Sequence, residues 1–287
     1  MKNKEGLFNC TDGTQLFYRS WTPDETPQAL LIIIHGFSDH SGRYKSIVDN
    51  LVPRGVAVYS FDQRGHGQSP GQQGHIDSFT NYRDDVLTFM RFVSDQEPDI
   101  PLFLLGHSMG GLIVLDFGLH YPQEVNGVIA SAPHLSDPPV SPIMITLSRA
   151  ISNIWPTFSM DAGLDKEAIS RDPDVVREYL DDPLTHGKGT ARLSTELSKA
   201  VSETNANAAS FQPPLLIFHG TADRLTDPEA SRSFYEKVPS TNKRYIAYDG
   251  GYHEGHNDIH RERIVSDIAL WIEEQIRIIT GHPESSE

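Results

Sequence analysis

The sequence predicts an α/β fold: a mostly parallel sheet with helices on both faces, an N-terminal antiparallel edge and a helical cap. Three observations carry this. Short runs that are β-branched or apolar alternate with amphipathic stretches between Leu30 and Ile129, a hairpin signal precedes them, and a proline-rich interruption separates them from two further strand-like runs. Such runs suit strands buried on both faces. Strand, helix, strand repetition within one sheet places helices on both sides of it.

Taken in order, residues 6–10 and 15–21 flank Thr11-Asp12-Gly13-Thr14. Asp-Gly between two strand-like runs signals a hairpin. Strands follow at 31–34, 56–61, 102–105 and 125–130, with amphipathic helices at 44–51, 79–93 and 109–120 between them. Gly55 lies just past the first helix, where a C-cap is expected. The rhythm breaks after Ala132-Pro133. Residues 134–212 carry Pro138, Pro139, Pro142, Pro156, Pro173 and Pro183 with helical pieces between them, and are read as a cap inserted at the C-terminal edge of the sheet. The core then comprises 1–133 and 213–287. It resumes with strands at 215–218 and 243–248, joined by a helix at 228–238, and closes with a long amphipathic stretch at 261–279 and a frayed end at 281–287.

A chain of 287 residues buries about three quarters of its unfolded surface and needs no staples to hold a core. Its single cysteine, Cys10, allows no internal disulfide and no multi-cysteine zinc site. The net charge of −15 repels phosphate backbones, which excludes nucleic acid as an expected partner. The longest apolar run, Ala29–Ile34, is far shorter than the roughly 20 residues a bilayer span needs. A cytoplasmic protein is expected, with room for peripheral contact at membranes.

The chemistry centres on Gly106-His107-Ser108-Met109-Gly110. This G-x-S-x-G follows an apolar strand and opens an apolar helix, the context that a nucleophile elbow requires. Gly106 and Gly110 let the tight turn close, and the N–H of Met109 points at developing negative charge. A serine needs a base and an orienting acid, in the order Ser, Asp or Glu, His. The loop after the last strand offers His253, with His256 and His260 as competitors; the loop after the preceding strand offers Asp223, with Asp227 as the weaker option. The stretch from 223 to 253 holds one helix and one strand, enough to bring both loops to one sheet edge. A second oxyanion donor is expected after the strand ending in Ile34, where Gly36 turns the chain and the N–H of Phe37 can face Ser108.

Three strings, residues 35–44 (HGFSDHSGRY), 62–69 (DQRGHGQS) and 106–111 (GHSMGG), together resemble the monoacylglycerol lipases of the α/β-hydrolase superfamily. The likeness continues through Ile169-Ser170-Arg171, Asp182-Pro183-Leu184, Gly220-Thr221-Ala222-Asp223-Arg224 and Tyr252-His253, so that it spans about residues 10–275. The resemblance implies Ser108 as nucleophile, Asp223 as orienting acid, His253 as base and Phe37 with Met109 as oxyanion hole. It further implies that Asp39, Arg43 and His256 surround the alcohol leaving group and that Tyr179 reaches down from the cap. Two departures stand out: Phe37 replaces a small residue and narrows the pocket, and Asp39 is shorter than the usual Glu.

In the cap, Ile143, Leu147, Ala150, Ile151, Ile154 and Phe158 recur at helical spacing, with Met144, Ile145 and Trp155 widening the stripe. Such a stripe either packs on the core or meets lipid. Other signals point away from alternative chemistry. His253-Glu254-Gly255-His256 is one residue short of H-E-x-x-H, and Gly65-His66-Gly67-Gln68-Ser69-Pro70 breaks G-x-G-x-x-G at its last position. Neither a metal nor a cofactor is expected. Asp62 reads as a carboxylate bracing its loop rather than binding a substrate hydroxyl, and Cys10 as structural. The expectation is a serine hydrolase releasing fatty acid and glycerol from monoacylglycerols through an acyl-enzyme. A lysophospholipase or broad carboxylesterase would share the triad. A non-catalytic ligand-binding member of the same fold is the alternative of another class, and a dinucleotide-dependent oxidoreductase is disfavoured by the broken fingerprint.

Overall fold

A computed structural model describes residues 1–137 and 141–281, with 142–145 described by backbone alone. The hairpin pairs β1 (Lys2–Asn9) with β2 (Gln15–Thr22), and Gly13 closes its turn at φ 83°. β1 reaches back to Lys2, beyond the expected start at residue 6. Its first residues are polar and exposed and give no apolar signal, yet Lys2 pairs with Thr22 on the ladder.

The core then runs β3 (Ala29–Ile34), α1 (Lys45–Leu51), β4 (Val56–Phe61), α2 (Phe79–Ser94), β5 (Leu102–His107), α3 (Met109–His120) and β6 (Gly127–Ser131). Gly55, at φ 82°, ends a short 3-10 turn that follows α1. Between β6 and the next core strand lie α4 (Pro142–Ile154), β7 (Ser159–Asp161), α5 (Pro173–Asp181), β8 (Lys188–Thr190) and α6 (Ala191–Ala206). β9 (Leu215–Gly220), α7 (Pro228–Lys237), β10 (Lys243–Tyr248) and α8 (Arg261–Thr280) complete the chain. Pro138 and Pro139, and residues 282–287 of the expected frayed end, lie outside the described residues.

Among the described residues eight strands form one sheet in the order β1-β2-β4-β3-β5-β6-β9-β10. The pairs from β4 through β10 are parallel, and the hairpin closes one edge antiparallel. The two-residue period of the strands sorts the core. Leu30, Ile32 and Ile34 of β3 join the apolar cluster of α2 and α3, whereas Leu31 and Ile33 join that of α1 and α8. β5 extends two residues beyond its expected end because Gly106 and His107, though not apolar, keep their ladder partners Ala130 and Ser131. β6 starts later than expected because Asn126 pins its entry: the Leu102 N–H donates to Asn126 Oδ1 at 2.7 Å.

Candidate active site

The parallel strands β3, β5, β9 and β10 end at one edge of the sheet, and the candidate residues stand on the loops that leave it. Ser108 sits between β5 and α3 at φ 54°, ψ −115°, a conformation that L side chains rarely adopt. Surroundings impose it. A Cβ on Gly106 would meet Gly110 O at 2.1 Å, and one on Gly110 would meet Ile34 O at the same distance. The turn therefore closes only because both positions lack side chains. Met109 follows as the first residue of α3, where unsatisfied N–H groups and the helix dipole favour negative charge. Gly36 brings the loop after β3 against the elbow, since its Cβ would lie 3.3 Å from Ser108 Cβ. Phe37 comes next; its ring packs edge-on to His66 and to His186, with centroids 5.9 and 5.6 Å away.

Asp223 and His253, from the loops after β9 and β10, meet at 2.7 Å between Oδ2 and Nδ1. A carboxylate only accepts, so Nδ1 carries the proton and Nε2 keeps its lone pair. The Asp223 carboxylate is fully buried yet richly served. His219 Nε2 donates to Oδ2 at 2.9 Å and Thr226 Oγ1 at 2.8 Å, while the N–H groups of Leu225 and Thr226 donate to Oδ1. Burial would raise its pKa, but His253 and His219 hold it well below the usual carboxylate range. Burial would likewise depress His253, but Asp223 overrides it and the imidazole pKa lies above its ordinary value. The other candidates are engaged elsewhere. Asp227 caps α7 through the Glu229 N–H, His260 Nε2 bonds Asp249 O at 2.9 Å, and His256 stacks on Tyr44 at 4.9 Å.

The four residues matched to the alcohol side lie in one buried cluster. Asp39 accepts from Tyr44 OH at 2.8 Å, Arg43 Nη1 at 3.2 Å and the His40 N–H at 2.7 Å. Burial opposes its ionisation, but Arg43 pulls its pKa well below the ordinary range. The Arg43 guanidinium lies 4.7 Å over the Tyr179 ring, and the Tyr179 hydroxyl donates to Ser38, with Oγ at 2.8 Å. Burial pushes that phenol up to about 12. His256 is buried, its pKa lowered by that burial to about 4, and its Nδ1 has no hydrogen-bond partner.

Residues that sequence reasoning passed over complete the arrangement. Glu254, treated only as part of a failed zinc pattern, receives both Nη atoms of Arg43 at 2.7 and 2.8 Å. His219 and Thr226 fix Asp223. The His107 ring stands 4.6 Å from His253 and 5.0 Å from His256. Their motif neighbours could have flagged Glu254 and His107, but no spacing marks Thr226 or His219. Asp62 braces its loop, accepting from the N–H groups of Ser41 and Gln68 at 2.8 Å each. Cys10 is buried at the turn of the hairpin, and burial raises its thiol pKa far above the ordinary value.

Part of the apolar stripe at 143–158 turns outward: Leu147, Ala150, Ile154 and Trp155 are exposed and Ile151 and Phe158 half-buried, whereas Ser152 on the opposite side is buried and bonds Thr195 at 2.8 Å. Packing on the core therefore does not account for the exposed positions. The side chains of Ile143, Met144 and Ile145 lie outside the described residues.

Residues 25–260 match the family model described as serine aminopeptidase, S33. A monoacylglycerol lipase of Mycolicibacterium smegmatis is 33% identical over 270 residues, which cover 93% of this chain and 96% of that protein. A phospholipase of Bacillus subtilis is 32% identical over 248 residues, 85% of this chain and 95% of its own length. The crystal structure of a monoacylglycerol lipase from Paleococcus ferrophilus superposes with a TM-score of 0.83 at 31% identity, covering 91% of this chain and 99% of that one.

Proposed function

The chain belongs to the monoacylglycerol lipase family of the α/β-hydrolase superfamily, and we propose that Ser108, Asp223 and His253 are its catalytic triad. The protein is a carboxylic ester hydrolase that cleaves monoacylglycerols to fatty acid and glycerol. The observation that carries the triad is the 2.7 Å Asp223–His253 contact on the loops that flank the strained Ser108 elbow. His253 Nε2 takes the Ser108 proton as Oγ attacks the acyl carbonyl, and Asp223 holds the tautomer and offsets the imidazolium charge. The N–H groups of Phe37 and Met109 receive the oxyanion. Collapse expels the glycerol oxygen, which takes the proton from His253. Water then attacks the acyl-enzyme by the same route and frees the acid.

Asp39, Arg43, Tyr179 and His256 form the wall on the alcohol side in this reading, and the unpartnered Nδ1 of His256 is suited to a glycerol hydroxyl. Residues 134–212 are assigned as the cap over a core of 1–133 and 213–287. The exposed Leu147, Ile154 and Trp155 suit contact with a lipid surface, and no helix among the described residues is long and apolar enough to cross a membrane. A cytoplasmic location with peripheral lipid contact belongs to the same proposal. The similarity to a phospholipase keeps a lysophospholipid activity as the second reading.

Ser108→Ala tests the assignment. Hydrolysis of a monoacylglycerol chain-length series and labelling by a fluorophosphonate should both vanish while the melting temperature stays. Turnover undiminished in that variant would sink it.

A further inference from the structure

Glu254 is a buried carboxylate next to the proposed base, and none of the roles above uses it. Its oxygens take both Nη atoms of Arg43, and Oε2 also accepts from Asn257 Nδ2 at 3.0 Å. Asp39 adds a second carboxylate at 3.2 Å. The exposures of these side chains are 10% for Arg43, 5% for Asp39 and 4% for Glu254, so solvent screens none of them. An arginine fork is the usual recogniser of a phosphate, which it grips with two parallel N–H groups. Here Glu254 fills that fork.

Among the described residues, His107, His256, Arg171 and Arg224 are neutral or matched, and the proposed base His253 is paired with Asp223. His107 and His256 stand between the cluster and His253, and burial keeps both pKa values low, His256 at about 4. Arg171 and Arg224 flank the neighbouring Tyr252, but Asp258 matches the first at 3.4 Å and Asp165 the second at 3.2 Å. Asp39 and Glu254 thus share one guanidinium, Arg43, while Asp223 pairs with His253.

We propose that Glu254 is a specificity-determining residue: by occupying the Arg43 fork it leaves the site net negative, which selects lipid esters with a neutral headgroup over those carrying a phosphate monoester. The inference rests on the hydrolase reading above and sets neutral esters against phosphate monoesters within it. Specificity here comes from repulsion as much as from fit. A unit charge several ångströms from a headgroup phosphate, at the effective dielectric of a protein, shifts relative rates by about tenfold or more.

The test compares kcat/KM for monooleoylglycerol and for monooleoylglycerol phosphate, with the phosphocholine ester as a zwitterionic third substrate. Wild type should favour the glycerol ester over the phosphate ester by at least about tenfold. Glu254→Gln should narrow that ratio about tenfold, chiefly through KM of the phosphate ester, since the variant removes the negative charge and one of the two acceptors on the fork while hardly changing the −15 net charge. Asp39→Asn removes a carboxylate from a different loop and should narrow the ratio less; it decides the matter if Glu254→Gln does not fold. Equal wild-type rates on the two esters, or a ratio unmoved in folded variants, overturn the inference and leave monoacylglycerol hydrolysis standing. Failure of wild type to hydrolyse monooleoylglycerol would overturn the function itself, and this inference with it.

Discussion

Two pulls of opposite sign act on the His253 imidazole. Burial disfavours its charge, yet Asp223 at 2.7 Å raises its pKa above the ordinary 6.5. The base works only when neutral, so kcat/KM should rise with pH through a midpoint above that value. Asp223→Asn removes the raising charge and the acceptor that fixes the tautomer. We expect kcat to fall by about 10⁴ and the residual activity to titrate at lower pH. A pH–rate profile of the variant with an unmoved midpoint would assign the raising charge to another group. His219 and Thr226 matter at this scale too: His219 joins His253 in keeping the buried carboxylate ionised, and Thr226 adds a hydrogen bond to the same oxygen. The sequence could not reveal them. A strand residue and a loop threonine acquire this role only through the curl of the chain around Asp223.

At the scale of elements, the segment after the 3-10 turn at Lys166–Ala168 is clasped to the loop that carries His253, and Asp258 is the clasp. Its fully buried carboxylate accepts from the Arg171 N–H at 2.7 Å, Ser170 Oγ at 3.2 Å and the Tyr252 N–H at 2.9 Å. The Glu254 N–H adds a bond to Ile169 O at 2.8 Å. Asp258→Ala leaves several buried donors unpaired and should cost about 3 kcal/mol, read as a melting temperature lower by roughly 5–10 °C. Because Tyr252 precedes His253, kcat should fall more than KM rises. A melting shift under about one degree would show that the clasp does not hold the two segments. The elements themselves were largely legible. Apolar runs buried on both faces announced the parallel strands, and G-x-S-x-G announced the turn between β5 and α3. Partner choice between distant segments was not legible. Arg43 and Glu254 lie 211 positions apart, and spacing encodes only local geometry. Nor does a helical stripe say which way it faces. The periodicity of α4 fitted packing or exposure equally, and only the buried Ser152 opposite Thr195 reveals an outward apolar side.

Over the whole molecule, the proposed lipid contact would combine the −15 charge with the exposed apolar side of α4. A polybasic protein gains about 1 kcal/mol per Lys or Arg near an anionic bilayer and loses it as salt rises. This chain has the opposite sign, so anionic vesicles should repel it and added salt should strengthen, not weaken, its binding to them. On neutral vesicles the attraction must come from apolar burial alone. Ile154 is 85% exposed and Trp155 60%, and fully burying such a side chain stabilises by about 1.5–3 kcal/mol. The double variant Ile154→Ser with Trp155→Ser should therefore lower the affinity for phosphatidylcholine vesicles by at least about tenfold. It should also raise the apparent KM for vesicle-borne monoacylglycerol while leaving turnover of a soluble short-chain ester unchanged, because both side chains are exposed. Vesicle flotation at two salt concentrations, run beside both assays, separates the two forces. Unaltered flotation of the double variant, or binding to anionic vesicles that weakens with salt, would move the contact away from α4 and onto the basic side chains.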